Sequence, residues 1–501
     1  MGTLPRICVA LGCSEPGQLA KLARRVCDDG EDFVEVRMDM LAEPAEALGV
    51  IEWLKERHPE TLVLATCRRA ANGGGFNGGV RQQLALLEAA AAAGAGAVDV
   101  EIQTAERAAQ RSRLLRLWQR AKLVVSYHNF RGTPDLGAVE RRLEKAPAEV
   151  YKVATMARRP TDNLRVLATL RRSARSRPAA VLAMGEAGIA SRVLSLARVG
   201  AFSFAAPGAV GEPTAPGQVS SELLRGQYRV ERLSRFTHVY GVIACPVGHS
   251  ISPAVHNAAF QARRIDAVYL PFLVQPGQLA DFRTLAVELP VRGFSVTIPH
   301  KQTVLRHLDG ADPIARKIGA INTVYRKGTK LRGTNTDAAG VVVPLEKRLR
   351  LKNAAVLIAG NGGAARAAAF ALEEKGARVF LTGRNPGRVL ALARACHGEA
   401  LSGAEVGRRH FDALVQATSV GMYPNVEESY FPDAIPAEVV FDLVYNPRET
   451  MLLKQARAQG KVAISGLEMF LEQAAAQFEI WTERDAPRAA MEKAAREALG
   501  R

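Results

Sequence analysis

The first 210 residues alternate eight times between a short run rich in β-branched residues and a longer stretch with helical spacing. The runs fall at 7–11, 33–38, 61–67, 97–102, 123–128, 150–155, 180–183 and 201–205, with amphipathic segments such as 18–27, 81–93 and 138–145 between them. Short β-branched runs that alternate so regularly with stretches of helical spacing build βα units on a parallel sheet, because each helix must bury its apolar stripe on the strands it connects. Eight alternations in about 230 residues point to a closed (β/α)8 TIM barrel. An open doubly wound sheet, usually of about five or six strands, is the alternative. A Gly/Pro-rich loop at 207–217 follows the last run, and a polar helical exit at 220–234 closes the domain.

A new unit starts at Thr237. It holds a strand at 239–245 with its own Gly/Pro/Ser loop, and strand-like runs at 267–273 and 293–298 around a helical segment. From 354 the order is strand, Gly-rich turn, Ala-rich helix 364–375, strand 379–382, the pattern of a nucleotide-binding half. The α/β chain therefore divides into a barrel over 1–235, a small domain over 236–340 completed by helices within 466–501, and a Rossmann-type domain over 341–465. Three domains suit 501 residues. The six cysteines form no CxxC pair, no apolar stretch reaches 18 residues, and the N-terminus has no signal-like apolar run, so a cytoplasmic protein away from membranes is expected. A net charge of +17 raises the question of a nucleic-acid partner. The basic residues come as scattered pairs, densest at 347–352, so none is expected.

Charged residues inside barrel strands demand a reason. Glu35 and Arg37 share a face, as do Asp99 and Glu101; Arg68 closes the third strand, His128 ends the fifth, and Lys152 lies in the sixth between Tyr151 and Val153. Each alone could be an ordinary ion-paired residue. A lysine flanked by apolar strand residues is desolvated, which favours the neutral amine and suits it to Schiff-base chemistry, with His128 on the adjacent strand as general acid and base. No metal-ligand cluster is present in the sequence pattern.

With the strings Glu35-Val36-Arg37-Met38-Asp39, Ser126-Tyr127-His128-Asn129-Phe130, Tyr151-Lys152-Val153-Ala154, Ile189-Ala190-Ser191-Arg192 and Ala215-Pro216-Gly217-Gln218, the first 230 residues resemble type I 3-dehydroquinate dehydratase. The resemblance implies that Lys152 forms an imine with the substrate ketone and that His128 removes the C2 proton and protonates the departing hydroxyl. It also implies that Arg192 clamps the carboxylate, while Glu35, Arg37, Arg68 and Gln218 place the ring groups. Thr214 stands where Ser is common in the family. Asn72 stands where many members have Glu, and an amide can hydrogen-bond a hydroxyl but cannot take a proton.

The turn Gly360-Asn361-Gly362-Gly363-Ala364 follows a strand and opens a helix, which suits a pyrophosphate. The next strand ends in Gly383-Arg384-Asn385 without the acid that reads a ribose hydroxyl, so NADP is favoured over NAD. Ser250 and Ser252 precede a Pro-initiated helix, Lys301 follows a Pro at a strand end, and Asp337 lies in Asn335-Thr336-Asp337. These strings, with Gly319-Ala320-Ile321-Asn322-Thr323, Ala417-Thr418-Ser419-Val420-Gly421-Met422, Asp442-Leu443-Val444-Tyr445 and Gly466-Leu467-Glu468-Met469, make residues 239 to about 477 similar to shikimate dehydrogenase. That resemblance implies a Lys301–Asp337 pair at the carbonyl, Ser250 and Ser252 on the carboxylate, and Thr297, Asn322, Asp337 and Gln473 on ring hydroxyls, with Tyr445 nearby. Gly360, Gly362, Gly363, Ala364, Arg384, Thr418, Met422 and Gly466 would line the NADP site. Retention of Ser252 and Thr297 favours shikimate over quinate.

The product of the first implied reaction, 3-dehydroshikimate, is the substrate of the second, and the order of halves resembles the fused dehydratase–dehydrogenases of the shikimate pathway. Two alternatives stay open at this stage: a catabolic quinate/shikimate system, and a non-catalytic barrel attached to an active dehydrogenase.

Overall fold

A computed structural model describes residues 4–500. The chain divides into two compact units, one running to His238 and including Asp266–Pro290, the other formed by Val239–Ile265 and the residues from Val291 onward.

The first unit is the expected α/β barrel. Strands β1 (Ile7–Leu11), β2 (Phe33–Arg37), β3 (Leu62–Thr66), β4 (Ala97–Glu101), β5 (Lys122–Asn129), β6 (Val150–Met156), β7 (Ala179–Met184) and β8 (Ser203–Ala205) run parallel in the order β7-β6-β5-β4-β3-β2-β1-β8. A bridge from Ala179 to Gly200 and a bond from Ala201 N to the Ala179 carbonyl at 2.8 Å bring the last edges together, so the barrel is nearly closed. Inward positions alternate, and they change character along the strands. Cys8, Ala10, Phe33, Leu64, Ala97, Val124, Val150, Ala180 and Phe202 fill the interior with apolar volume. Two residues further along β2, β4 and β6 the same face carries Glu35, Asp99 and Lys152. The polar layer thus stands on a packed apolar floor, where Phe33 meets Phe202 edge-on at 5.1 Å.

Residues 266–290, read from sequence into the middle domain, are grouped with the barrel. Thr161 N and Oγ1 donate to Asp281 at 2.9 and 2.7 Å, and Gln278 Nε2 donates to the Arg158 carbonyl at 3.1 Å. The positive charge is also less scattered than the sequence suggested. Between 107 and 177 eighteen Lys and Arg stand against five Asp and Glu. Helices Arg111–Trp118, Gly137–Lys145 and Asp162–Ser173 follow successive strands and carry nine of these cations against three acids. Pairs such as Arg113–Glu88 and Arg172–Glu140 offset part of the excess.

In the second unit, strand Val291–Val296 pairs in parallel with His238–Ala244 and antiparallel with Thr323–Lys327, which continues into Lys330–Thr334. The long helix Gly466–Thr482 returns to this sheet: Gln477 bonds Ser295, the Asn322 carbonyl and Thr323, and Trp481 Nε1 donates to the Val324 carbonyl at 2.9 Å. A separate six-stranded sheet has the doubly wound order Glu399–Ala400, Arg378–Thr382, Ala355–Ala359, Phe411–Gln416, Ala437–Asp442, Val462–Ile464. Strand order reverses between Ala355–Ala359 and Phe411–Gln416, which is where such sheets open a ligand crevice. The Ala-rich helix Gly363–Glu374 buries Ala365, Ala368, Ala369 and Leu372 over one face, small side chains that let it lie close to the strands.

Phe33→Ala removes a ring that is 1% exposed and carries the polar layer above it. The expected cost is about 3–5 kcal/mol, seen as an earlier denaturant transition of the barrel with that of the second unit unmoved. A coincident shift of both transitions would contradict this placement.

Candidate active sites

The strand register brings the predicted barrel residues to one end. Lys152 is 4% exposed, and its Nζ donates to Asp99 Oδ2 at 2.8 Å and Glu35 Oε1 at 3.1 Å, with the Phe204 ring centroid 3.9 Å away. The sequence expectation of purely apolar flanks is corrected here: the strand neighbours are apolar, but two carboxylates hold the ammonium. Asp99 in turn accepts from Arg68 Nη2 at 3.2 Å and Ser126 Oγ at 2.5 Å. Burial opposes its ionisation, yet Lys152, Arg68 and His128 hold its carboxyl well below the usual range. Glu35 also accepts from Thr66 Oγ1 at 2.8 Å.

Arg37 does not stand free for substrate. It makes a two-bond fork with Asp39 at 2.9 and 2.7 Å, and Gly75 N joins Asp39 at 3.1 Å. Burial pushes the Asp39 carboxyl up, but Arg37 and Arg68 outweigh it and the group lies below its ordinary value. Asp39 was missed as a site residue, although its place two residues after Arg37 was the available signal.

Among the described residues, the buried polar atoms without a hydrogen-bond partner at this end of the barrel include Arg68 Nε, Arg69 Nε, Asn72 Nδ2, Gln83 Oε1, His128 Nδ1 and Arg192 Nε. His128 is the last but one residue of β5, with its ring stacked beside Phe130. Burial, followed by the charges of Arg68 and Lys152, pushes its imidazole well below the ordinary value, against the pull of Asp99. Arg192, on helix Ile189–Ala197, is 1% exposed; Nη2 donates to the Pro216 carbonyl at 3.1 Å, and it forms no ion pair among the described residues. Burial alone lowers its pKa to about 10. Gln218 turns its carbonyl onto Thr214 N and Ala215 N at 2.8 and 3.2 Å, folding the loop after β8 onto the Gly185 turn. Gly217 has φ +68°, and a Cβ there would collide with the Gly185 carbonyl. Buried polar atoms left without partners, headed by a guanidinium without a counter-ion, are what a site awaiting a polar, anionic molecule presents.

In the second unit Lys301 Nζ donates to Asp337 Oδ2 at 2.6 Å, and Asn322 Nδ2 donates to Asp337 Oδ1 at 2.8 Å. Asn322 Nδ2 also reaches Thr336 Oγ1 at 2.9 Å and Gln473 Oε1 at 3.3 Å. Lys301, Asp337, Asn322 and Gln473 are thus one cluster, backed by Gln477, which sequence reading missed because helical spacing alone marks it as core. Ser250 Oγ accepts from Ser252 N at 3.3 Å at the start of helix Ser252–Ala262, and Thr297 follows strand Val291–Val296. Ser250, Ser252, Thr297 and Tyr445 lie outside that hydrogen-bond cluster; Tyr445 packs on Phe470 at 5.1 Å, and burial raises its phenol pKa.

The residues assigned to NADP fit it. Gly360 has φ +127°, and a Cβ there would lie 2.8 Å from the Ala417 carbonyl. Gly362 caps and Gly363 begins helix Gly363–Glu374, whose N-terminus has no side-chain cap, and Ala364 follows in its first turn. A Cβ on Gly363 would lie 3.0 Å from Lys301 Cδ, so the turn adjoins the catalytic cluster. Arg384 is exposed just beyond strand Arg378–Thr382, free to meet a phosphate. Thr418 N and Oγ1 donate to Gln416 at 2.5 and 2.7 Å, Met422 is half exposed, and Gly466 starts the helix that packs on the Val444 carbonyl.

Known proteins resemble both halves. Residues 7–235 match type I 3-dehydroquinase, 242–324 the shikimate dehydrogenase substrate binding domain, and 466–496 the shikimate 5'-dehydrogenase C-terminal domain. The chain is 36% identical over 485 residues to the chloroplastic bifunctional 3-dehydroquinate dehydratase/shikimate dehydrogenase of Arabidopsis thaliana, covering 92% of this chain and 79% of that protein. It is 42% identical over 278 residues to the shikimate dehydrogenase (NADP(+)) of Moorella thermoacetica, covering 53% of this chain and 94% of that one. A shikimate dehydrogenase solved in complex with NADP+ superposes with a TM-score of 0.51 at 37% identity, over 52% of this chain and 96% of that one.

A buried guanidinium without a counter-ion carries a desolvation cost that folding must absorb. Arg192→Met is therefore expected to stabilise the ligand-free barrel by about 1–3 kcal/mol at neutral pH, read as a higher melting temperature, while stabilisation by added 3-dehydroquinate is lost. A variant that melts earlier would show that the charge is compensated in the fold.

Proposed function

We infer that this chain, which belongs to the bifunctional 3-dehydroquinate dehydratase/shikimate dehydrogenase family, dehydrates 3-dehydroquinate and reduces the resulting 3-dehydroshikimate to shikimate in the shikimate pathway. The observation that carries the first step is the group of unpartnered buried donors around Lys152, above all Arg192 Nε. Arg192 takes the substrate carboxylate, and the ring lies over the Asp99–Lys152–Glu35 group. The Lys152 amine, once it has released its proton, attacks the C3 ketone; the carbonyl oxygen leaves as water and an imine forms. The imine accepts the electron pair freed when His128 removes the C2 proton. His128 then returns that proton to the C1 hydroxyl, which departs as water; a second water hydrolyses the imine and frees Lys152. Asn72 offers its amide to a hydroxyl and takes no part in proton transfer.

In the second unit Lys301 and Asp337 work as one group. Bound NADPH supplies a hydride to the carbonyl carbon. Lys301 gives its proton to the oxygen as negative charge develops there, and Asp337 keeps the ammonium aimed. Asn322 and Gln473 hold ring hydroxyls, Ser250 and Ser252 take the carboxylate at the start of their helix, and Thr297 and Tyr445 close the ring's edges. Arg384 meets the 2′-phosphate, which sets NADP above NAD. The domains we propose for these steps are 1–235 for the barrel, 236–340 with 466–501 for the substrate domain and 341–465 for the NADP domain, although Asp266–Pro290 falls in the unit of the barrel. The partners are these small molecules. No helix among the described residues is long and apolar enough to cross a membrane, and a cytoplasmic location suits the NADPH-dependent reaction.

Borohydride reduction in the presence of 3-dehydroquinate is expected to leave a covalent adduct on Lys152, absent in Lys152→Ala; an unmodified wild-type chain would falsify the dehydratase assignment. His128 is held neutral at physiological pH, so the acid limb of the dehydratase kcat/KM profile is expected below pH 6.5, the ordinary imidazole value. A limb at or above 6.5 would point to another base. In the intact chain 3-dehydroquinate should drive NADPH consumption with no other enzyme added; Lys301→Ala should abolish that signal while 3-dehydroshikimate still accumulates. Preference for quinate and NAD in the reverse direction would indicate a catabolic role instead.

A further inference from the structure

Two fully buried polar side chains at the crevice end of the doubly wound sheet are not used by the chemistry above. Gln416 closes strand Phe411–Gln416, Asp442 closes the parallel strand Ala437–Asp442, and the two are register partners. Both are 0% exposed, so no ligand touches them and their effect passes through the backbone.

Every polar atom of the Gln416 amide is engaged. Nε2 donates to Asp442 Oδ1 at 3.2 Å and to the Val420 carbonyl at 3.0 Å, while Oε1 accepts from Thr418 N and Oγ1. Thr418 Oγ1 accepts from Val420 N at 3.2 Å, so the turn from Ala417 to Val420 is wrapped around this one amide. Asp442 Oδ1 also accepts from Val444 N at 3.0 Å, and Oδ2 accepts from Thr450 Oγ1 at 2.6 Å. On one side of the pair the Ala417 carbonyl abuts Gly360; on the other the backbone of Leu443 and Val444 abuts Gly466, which begins the helix carrying Gln473. The pair therefore lies between the turn that would hold pyrophosphate and the helix that holds the substrate cluster.

An ionised carboxylate only accepts hydrogen bonds, so it takes the NH2 end of the amide and leaves Oε1 for Thr418. A neutral group at 442 with a donor of its own removes that dictate.

We propose that Gln416 and Asp442 are a positioning pair: the carboxylate orients the amide, the amide shapes the Thr418 turn, and the turn is held against Gly360 and the segment before Tyr445 against Gly466 in the arrangement that binds NADP. This rests on the dehydrogenase reading above. The pair also makes cofactor binding sensitive to pH. Burial pushes the Asp442 carboxyl up to about 6, against the Thr450 hydroxyl and the Val444 N–H, which lower it. The ionisable side chains on the elements packed around it, Asp412, Arg448, Glu449, Lys454, Arg457 and Glu468, add no shift. Above that value the carboxylate dictates the amide's orientation; below it the acid carries its own donor and the dictate is lost.

The test is equilibrium binding of NADP alone to the full chain by calorimetry between pH 5.5 and 8, for wild type, Gln416→Leu and Asp442→Asn, with dehydratase turnover as the control for folding. At pH 7.5 both variants are expected to bind NADP roughly tenfold more weakly. Wild-type affinity should fall below pH 6 more steeply than that of Asp442→Asn, whose residual slope is the ionisation of the 2′-phosphate itself, near about 6. If Gln416→Leu misfolds, the Asp442→Asn profile decides alone. Parallel pH profiles for wild type and Asp442→Asn, or equal affinities of all three proteins at pH 7.5, overturn the pair. A wild-type chain that binds no NADP at any pH sinks the dehydrogenase reading instead.

Discussion

Charge buried at the end of a nearly closed barrel is the constraint on which the first unit depends. Lys152 is held by Asp99 and Glu35, Asp99 is shared with Arg68, and Arg37 is forked onto Asp39. An ammonium and two guanidiniums taken out of water survive there only because acceptors meet them at hydrogen-bond distance. Arg192 breaks the pattern, since its buried guanidinium has one carbonyl partner and no acid. An enzyme for an anionic substrate gains from that imbalance, because the missing partner is the ligand. The apolar floor of Phe33, Phe202 and their neighbours makes the imbalance costly, because it excludes the water that would otherwise solvate the charge.

The second unit handles the same difficulty with neutral amides. Asn322 ties Asp337 to Gln473, and Gln416 ties the Thr418 turn to Asp442. Asn322 holds both its partners through the two protons of Nδ2, whereas Gln416 donates to Asp442 and accepts from Thr418; either way one amide fixes two groups with respect to one another. The crevice of the doubly wound sheet is therefore bounded by segments whose positions are set by buried side chains one strand further back.

Much of this was legible in the residues. The alternation of short β-branched runs with stretches of 3.6-residue spacing marked all eight barrel strands, because each strand is buried on both faces and each helix on one. Short strings singled out Lys152, His128, Arg192, Lys301 and Asp337, which the structure places on strands, helices and the turns between them. The partners were less visible. Asp99 lies 53 residues from Lys152, and the expectation of a lysine among apolar neighbours described its flanks in sequence but not its contacts across the barrel. Part of the excess charge, read as scattered pairs along the chain, falls on three helices that follow successive strands.

The sequence by itself determined the class of each unit and the order of the two chemistries, since these depend on local periodicity and on residue type. Tertiary structure alone decided which charges are compensated and which are left for a ligand, and that Gln416 faces Asp442. Those outcomes depend on register between strands and on exclusion of water, and no local pattern encodes either.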